Sequence, residues 1–188
     1  MSDSASALSQ QLLIALPGLA DPNFSRSVVM VCQHDTDGAM GIVVNRASEF
    51  TVGELFDQLG IEGGTPELRT LPVVAGGPVY AERGFVLHDG DREWDSSIRL
   101  PGGLSLTTSR DVLQALADGN GPDQALVALG CAGWGAGQLE QEIAENSWMT
   151  APADGDLLFR AQLEQRWQAA AGLVGVNFER MTHYSGRA

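Results

Sequence analysis

Ser27-Val-Val-Met-Val-Cys-Gln33 leads into His34-Asp-Thr-Asp-Gly38, and Met40-Gly-Ile-Val-Val-Asn45 follows. Two short runs rich in β-branched residues flank a stretch whose Asp and Gly side chains suit chain reversal, so the segment is expected to form a β-hairpin. Upstream, Gln11 to Leu16 is a third apolar run of strand length. Downstream the period changes: Val52, Leu55, Phe56 and Leu59 stand at i, i+3, i+4 and i+7. Thr51 and Glu54 ahead of them make a capping box, and Gly60 suits the helix end.

After a loop from Glu62 to Thr70, strand-like runs return at Leu71 to Ala75, Gly84 to His88 and Ser97 to Leu106. They are interrupted at Gly76-Gly77-Pro78 and Pro101-Gly102-Gly103. Ser109 is positioned to cap a helix with Val112, Leu113, Leu116 and Ala117 on one face, and Ala125 to Gly130 reads as a buried strand. A glycine-rich loop, Gly130 to Gly137, should follow, then a polar helix with Leu139 and Ile143 on one side. The run Leu157-Leu158-Phe159 precedes a last helix, about Ala161 to Ala171, that carries Leu163, Trp167, Ala170 and Ala171 on one face. Strands and helices do not alternate strictly, which predicts an α+β fold with mostly antiparallel or mixed short strands and about four helices.

The chain has 188 residues, and no linker, charge block or repeat divides it, so residues 11–188 are expected to form one compact domain after a flexible segment 1–10. All 11 basic residues are Arg. The absence of lysine excludes Schiff-base and pyridoxal chemistry, a Walker A phosphate grip and a kinase-type strand lysine in this chain. A net charge of −13 opposes nucleic-acid backbones, so no direct nucleic-acid partner is expected. No apolar run approaches the length of a membrane span, and two cysteines make no disulfide framework, so a cytosolic protein without membrane contact is the expectation.

Several constellations carry chemistry in outline. Glycines at 133, 135 and 137 ahead of a helix invite an anion-binding reading, but Gly133-x-Gly135-x-Gly137 is not a dinucleotide fingerprint, and Glu140 would oppose a phosphate. The alternative is that these glycines let Trp134 and the backbone pack closely. Cys131, placed just before that helix, has the location of an activated thiolate, with His34, His88 or His183 as the available bases. Asp21-Pro22-Asn23-Phe24-Ser25-Arg26-Ser27 joins two strands and gathers an acid, hydroxyls and an arginine. Arg26 is the first candidate for a carboxylate or phosphate contact, and pairing with Asp21 is its structural alternative. His34 with Asp35 and Asp37 lacks metal-ligand spacing, and no Gly-x-Ser-x-Gly elbow occurs. No cofactor and no metal are therefore expected.

The motifs together resemble one family. Leu-Leu-Ile-Ala-Leu-Pro (12–17), Asp-Pro-Asn-Phe-Ser-Arg-Ser-Val-Val (21–29), Gly-Ala-Met-Gly-Ile-Val-Val-Asn-Arg (38–46), Gly-Gly-Pro-Val (76–79) and Gly-Phe-Val-Leu-His (84–88) are similar to the AlgH (YqgE) family of small bacterial proteins. Ala-Gly-Trp-Gly-Ala-Gly-Gln-Leu-Glu-Gln-Glu-Ile (132–143), Asn-Ser-Trp (146–148) and Leu-Leu-Phe (157–159) extend the resemblance. It implies a cytosolic α+β protein with no assigned reaction and a link to transcriptional regulation. Cys131 stands where the family motif usually has Tyr, and Arg187 where the usual ending has His. The resemblance therefore implies no shared mechanism through either position.

The leading expectation is a non-enzymatic binding protein for a small anionic ligand or a protein partner, acting through Arg26, Ser27, Asn45, Arg46, Gly76, Gly77, Gly133, Trp134 and Gly135. The alternatives are a hydrolase or transferase pairing Ser25 or Ser27 with His34 or His88, and a scaffold whose tryptophans form an interface.

Overall fold

The computed structural model describes residues 8–180, which group into two compact units. One unit combines the residues up to Asn45 with those from Gly133 onward; the other spans Arg46–Ala132. The chain crosses between them twice, at Asn45–Arg46 and Ala132–Gly133. Most of the expected N-terminal segment, and His183, lie outside the described residues.

In the first unit, β1 (Gln11–Ala15), β2 (Val28–Asp35), β3 (Gly38–Val43) and β10 (Trp148–Pro152) pair antiparallel in the order β10-β1-β2-β3. The expected hairpin is present: Asp35 pairs with Gly38 across the reversal, and the Asp35 carboxylate accepts from the Asp37 N–H at 2.8 Å. Leu12, Leu13, Ile14 and Ala15 are all fully buried, because an unbroken apolar run has no polar face to turn outward. Packed on β1 and β2 is α6 (Arg166–Leu173), which lays down Trp167, Ala170 and Ala171. A single 3-10 turn, Leu163–Gln165, precedes α6, so the expected helix from Ala161 begins as a tighter turn. Two short helices, α4 (Gln138–Ala144) and α5 (Gly155–Phe159), complete the unit.

The second unit is built from β4 (Ala47–Thr51), β5 (Pro72–Ala75), β6 (Val79–Asp89), β7 (Ser97–Leu100), β8 (Leu104–Thr107) and β9, whose full span is Ala125–Gly135. Its strand order is β4-β5-β9-β6-β8-β7. β5 runs parallel to β9, and the other pairs are antiparallel. Helix α1 (Val52–Leu59) starts as read: the Glu54 N–H donates to Thr51 Oγ1 at 3.2 Å, and Gly60 takes the left-handed conformation at its end. Val52, Leu55 and Phe56 enter a core with Val73, Val86, Val112 and Val127, whereas Leu59 stays exposed. A further short helix, α2 (Pro66–Thr70), occupies part of the expected loop.

Helix α3 (Arg110–Asp118) departs from expectation at its start. The Ser109 hydroxyl does not cap it but donates to Asp111 Oδ1 at 2.5 Å, and the Asp111 carboxylate accepts from the Val112 and Asp95 N–H groups. The α+β class and the mixed short strands hold. Six α-helices rather than about four appear among the described residues, the additions being the five-residue α2 and α5. The expected glycine loop is not a loop at its start: β9 continues through Cys131, Trp134 and Gly135. Absence of β-carbons permits this, since a β-carbon built on Gly38 would lie 2.2 Å from the Trp134 carbonyl oxygen.

Candidate functional site

The turn between β1 and β2 is built by Asp21, whose carbonyl accepts from the Phe24 and Ser25 N–H groups at 3.0 and 2.7 Å. Its carboxylate accepts from the Asn23 N–H at 2.9 Å, the turn chemistry expected before Pro22. The turn closes at Arg26, which sits in the left-handed region at φ +56°, a conformation that costs a long side chain of order 1 kcal/mol. Two carboxamide bonds clamp the neighbouring backbone: Asn45 Nδ2 donates to the Arg26 carbonyl at 2.8 Å, and Asn45 Oδ1 accepts from the Val28 N–H at 2.9 Å.

Ser27 is fully buried, and its hydroxyl donates to the Phe24 carbonyl at 2.7 Å. The Arg26 guanidinium projects over the Trp167 ring, 5.4 Å from its centroid. Trp167 is itself immobilised, stacked on Phe178 at 4.4 Å and donating its indole N–H to the Ala15 carbonyl at 2.8 Å. No carboxylate among the described residues pairs with Arg26, and Asp21 serves the turn instead. The result is a rigidly seated cation with its fork of donors unclaimed.

Trp134 is buried and packs with Phe24 and Trp148, at centroid distances of 6.0 and 6.2 Å. Both indole N–H groups donate to Glu142 Oε2. Gly133 and Gly135 lie on β9, and the Gly135 N–H donates to Gln138 Oε1 at 2.9 Å. In the second unit, the Arg46 carbonyl accepts from the Ala75 N–H, and Gly76 and Gly77 press their backbone against β9. A β-carbon on Gly76 would meet the Gly130 carbonyl at 2.2 Å, and one on Gly77, at φ +149°, the Cys131 carbonyl at 2.2 Å.

The nucleophile candidates are placed differently from the sequence expectation. Cys131 lies inside β9 rather than ahead of a helix, and burial pushes its thiol up, with the Arg83 charge opposing. His34 Nε2 meets Glu140 Oε1, while its buried Nδ1 has no hydrogen-bond partner among the described residues. The Glu140 carboxyl is held below its usual value, foremost by its own backbone N–H, then by His34, against the opposing effect of desolvation. His88 Nε2 stands 2.7 Å from Thr107 Oγ1, a contact of nucleophile–base type that sequence reasoning did not single out. Both residues are fully buried. The Trp94 backbone N–H donates to Ser97 Oγ at 2.9 Å, Ser97 and Thr107 hydroxyls meet at 2.7 Å, and His88 Nδ1 donates to the Asp89 carbonyl at 2.9 Å. With the imidazole neutral, each proton of this chain has one place, running from Trp94 to Asp89.

Sequence reasoning found Arg26 but missed its platform. Trp167 was legible as a helix-face residue; Phe178 carried no signal, since its stacking partner lies eleven residues back across a turn. Among the described residues, no three His, Cys, Asp or Glu side chains gather to hold a metal ion, and no helix is long and apolar enough to cross a membrane.

The fold and the Arg26 turn define an α+β protein that holds an arginine over an aromatic stack with no carboxylate beside it among the described residues. A family model described as AlgH-like matches residues 12–179, and the chain belongs to that family. It is 61% identical over all 188 residues, and over the full length of the relative, to a UPF0301 protein of Xanthomonas euvesicatoria pv. vesicatoria. A UPF0301 protein of Xanthomonas campestris pv. campestris is 60% identical over the same span. The solution structure of the AlgH protein from Pseudomonas aeruginosa superposes with a TM-score of 0.78 at 43% identity, covering 96% of each chain. A crystal structure from Corynebacterium diphtheriae, 21% identical with a TM-score of 0.68 over 86% of this chain and 84% of that one, shares the fold.

Proposed function

We propose that this protein is a non-enzymatic binding protein that recognises a carboxylate or phosphate, on a small molecule or on a protein partner, through the Arg26 guanidinium. The observation that carries this reading is the Arg26 turn: backbone strain held by Asn45, a cation seated over Trp167, and no carboxylate among the described residues to neutralise it. Proteins retain such strain where geometry serves a contact. Ser27 and Asn45 hold the turn, while Gly133, Trp134 and Gly135 build the β9 backbone and aromatic packing of the same unit. The buried Ser27 and Thr107 hydroxyls and the raised Cys131 thiol support a binding role over a hydrolytic one. A regulatory role in the cytosol would then be exercised through a ligand or protein, since a net charge of −13 disfavours direct contact with nucleic acid.

A thermal-shift screen against phosphorylated metabolites and carboxylates tests this. A ligand at 100 times its dissociation constant raises Tm by roughly 5 to 11 °C for a chain of this size. The shift should vanish in Arg26→Ala. A shift retained in that variant would remove Arg26 from the site, and a flat screen together with unchanged affinity capture of partners by Arg26→Ala would overturn the reading.

A further inference from the structure

The chain has five asparagines, at 23, 45, 120, 146 and 177, and the structure treats one of them differently. Both ends of the Asn45 carboxamide are bonded, to the Arg26 carbonyl and the Val28 N–H. Asn177 Oδ1 accepts from the Glu179 and Arg180 N–H groups. At Asn23 and Asn146 the following backbone nitrogen is engaged: the Phe24 N–H donates to Asp21 and the Ser147 N–H to Glu142.

Asn120 is exposed, and among the described residues neither its carboxamide nor the N–H of Gly121 makes a hydrogen bond. The residue that follows has no β-carbon to block approach of its nitrogen to the Asn120 side chain. We propose that Asn120 is a site of spontaneous deamidation in the folded protein.

The Gly121 backbone nitrogen gives up its proton to solvent base and attacks Asn120 Cγ. The new C–N bond displaces Nδ2, which leaves as ammonia, and a five-membered succinimide remains. Water then adds at either ring carbonyl and breaks that C–N bond, yielding aspartate at one opening and isoaspartate at the other. Nothing is oxidised or reduced, and water is the sole co-reactant.

The position gives the change a consequence. Asn120 follows the Gly119 cap of α3: its N–H donates to the Ala115 carbonyl at 2.9 Å, and its own carbonyl accepts from Arg92 Nη1 at 3.1 Å. Arg92 lies 4.0 Å over the Trp94 ring, and these residues line a cleft of about 230 Å³ with Asp89, Asp91 and Asp123. The aspartate product adds a carboxylate to this acidic rim, and the isoaspartate product reroutes and lengthens the backbone through Cβ and Cγ, turning the carbonyl that holds Arg92 into a free carboxylate.

The test is to incubate the folded full-length chain at mildly alkaline pH and map its peptides by mass, with an isoaspartate-specific assay alongside. Acid product should accumulate at Asn120 at least about tenfold faster than at any other asparagine, and Asn120→Gln should abolish it. Equal rates at Asn146 and Asn120, or no product at Asn120, would overturn the proposal. So would product at Asn120 in urea-unfolded chain but not in folded chain, because the native geometry would then protect the site.

Discussion

The Arg26 turn in one unit and the His88 chain in the other are both clusters of polar side chains on an apolar scaffold, and they use their chemistry in opposite ways. In the His88 chain each linking donor meets an acceptor inside the protein, from the Trp94 backbone N–H through Ser97, Thr107 and His88 to the Asp89 carbonyl. In the Arg26 turn the backbone is satisfied by Asn45, but the guanidinium is left to the outside. A nucleophile–base contact can thus be a buried strut, and a lone cation on a strained turn can be the working group. Accessibility, more than residue type, separates the two.

The largest effect should come from the second unit's backbone contacts. Gly77→Ala places a β-carbon 2.2 Å from the Cys131 carbonyl at a φ of +149°, and should cost about 3 kcal/mol or more, or prevent folding. Urea denaturation that finds wild-type stability would show that this strand contact is not as close as described.

Thr107→Val keeps the side-chain shape but strips His88 Nε2 and the Ser97 hydroxyl of a partner, for an expected loss of about 1 to 3 kcal/mol. If stability is unchanged while a ligand shift disappears, the chain is a working site and the contrast with Arg26 fails.

A smaller effect belongs to Asp111. Burial raises its pKa, but the Ser109 hydroxyl and the Asp95 and Val112 N–H groups outweigh that, so the folded carboxyl titrates below its ordinary 3.8. Its contribution is therefore present above that value and lost as pH falls through the lower folded one. Asp111→Asn should flatten the acid limb of unfolding free energy against pH, followed by urea denaturation, by about a few tenths of a kcal/mol. An unchanged acid limb would show that these hydrogen bonds do not favour the ionised form.

At the proposed site itself little net change in stability is expected, because two opposing effects meet there. Arg26→Gly relieves the left-handed strain and loses the stacking on Trp167, leaving stability within about 1 kcal/mol of wild type. Ligand-induced stabilisation should nevertheless be abolished. A loss as large as that of Thr107→Val would make Arg26 a structural strut and erase the comparison.

The amino-acid sequence alone determined what depends on neighbours along the chain. The β2–β3 reversal follows from Asp35, Asp37 and Gly38, and α1 from Thr51, its apolar period and Gly60. The exclusion of lysine chemistry follows from composition. These features depend on local sterics, capping and period, which act within a few residues.

Tertiary structure decided the rest. Strands β4 and β10 carry weak local signals and exist because β5 and β1 supply partners, and β9 passes through its glycines because Gly38 and Gly77 admit its backbone. Ser109 was a reasonable cap until Asp95 and Asp111 converged on the same helix end. The site divided in the same way. Arg26 could be singled out from its turn. That its guanidinium has Trp167 beneath it and no carboxylate beside it depends on residues more than a hundred positions away, and separations of that size are bridged only when the strands pair.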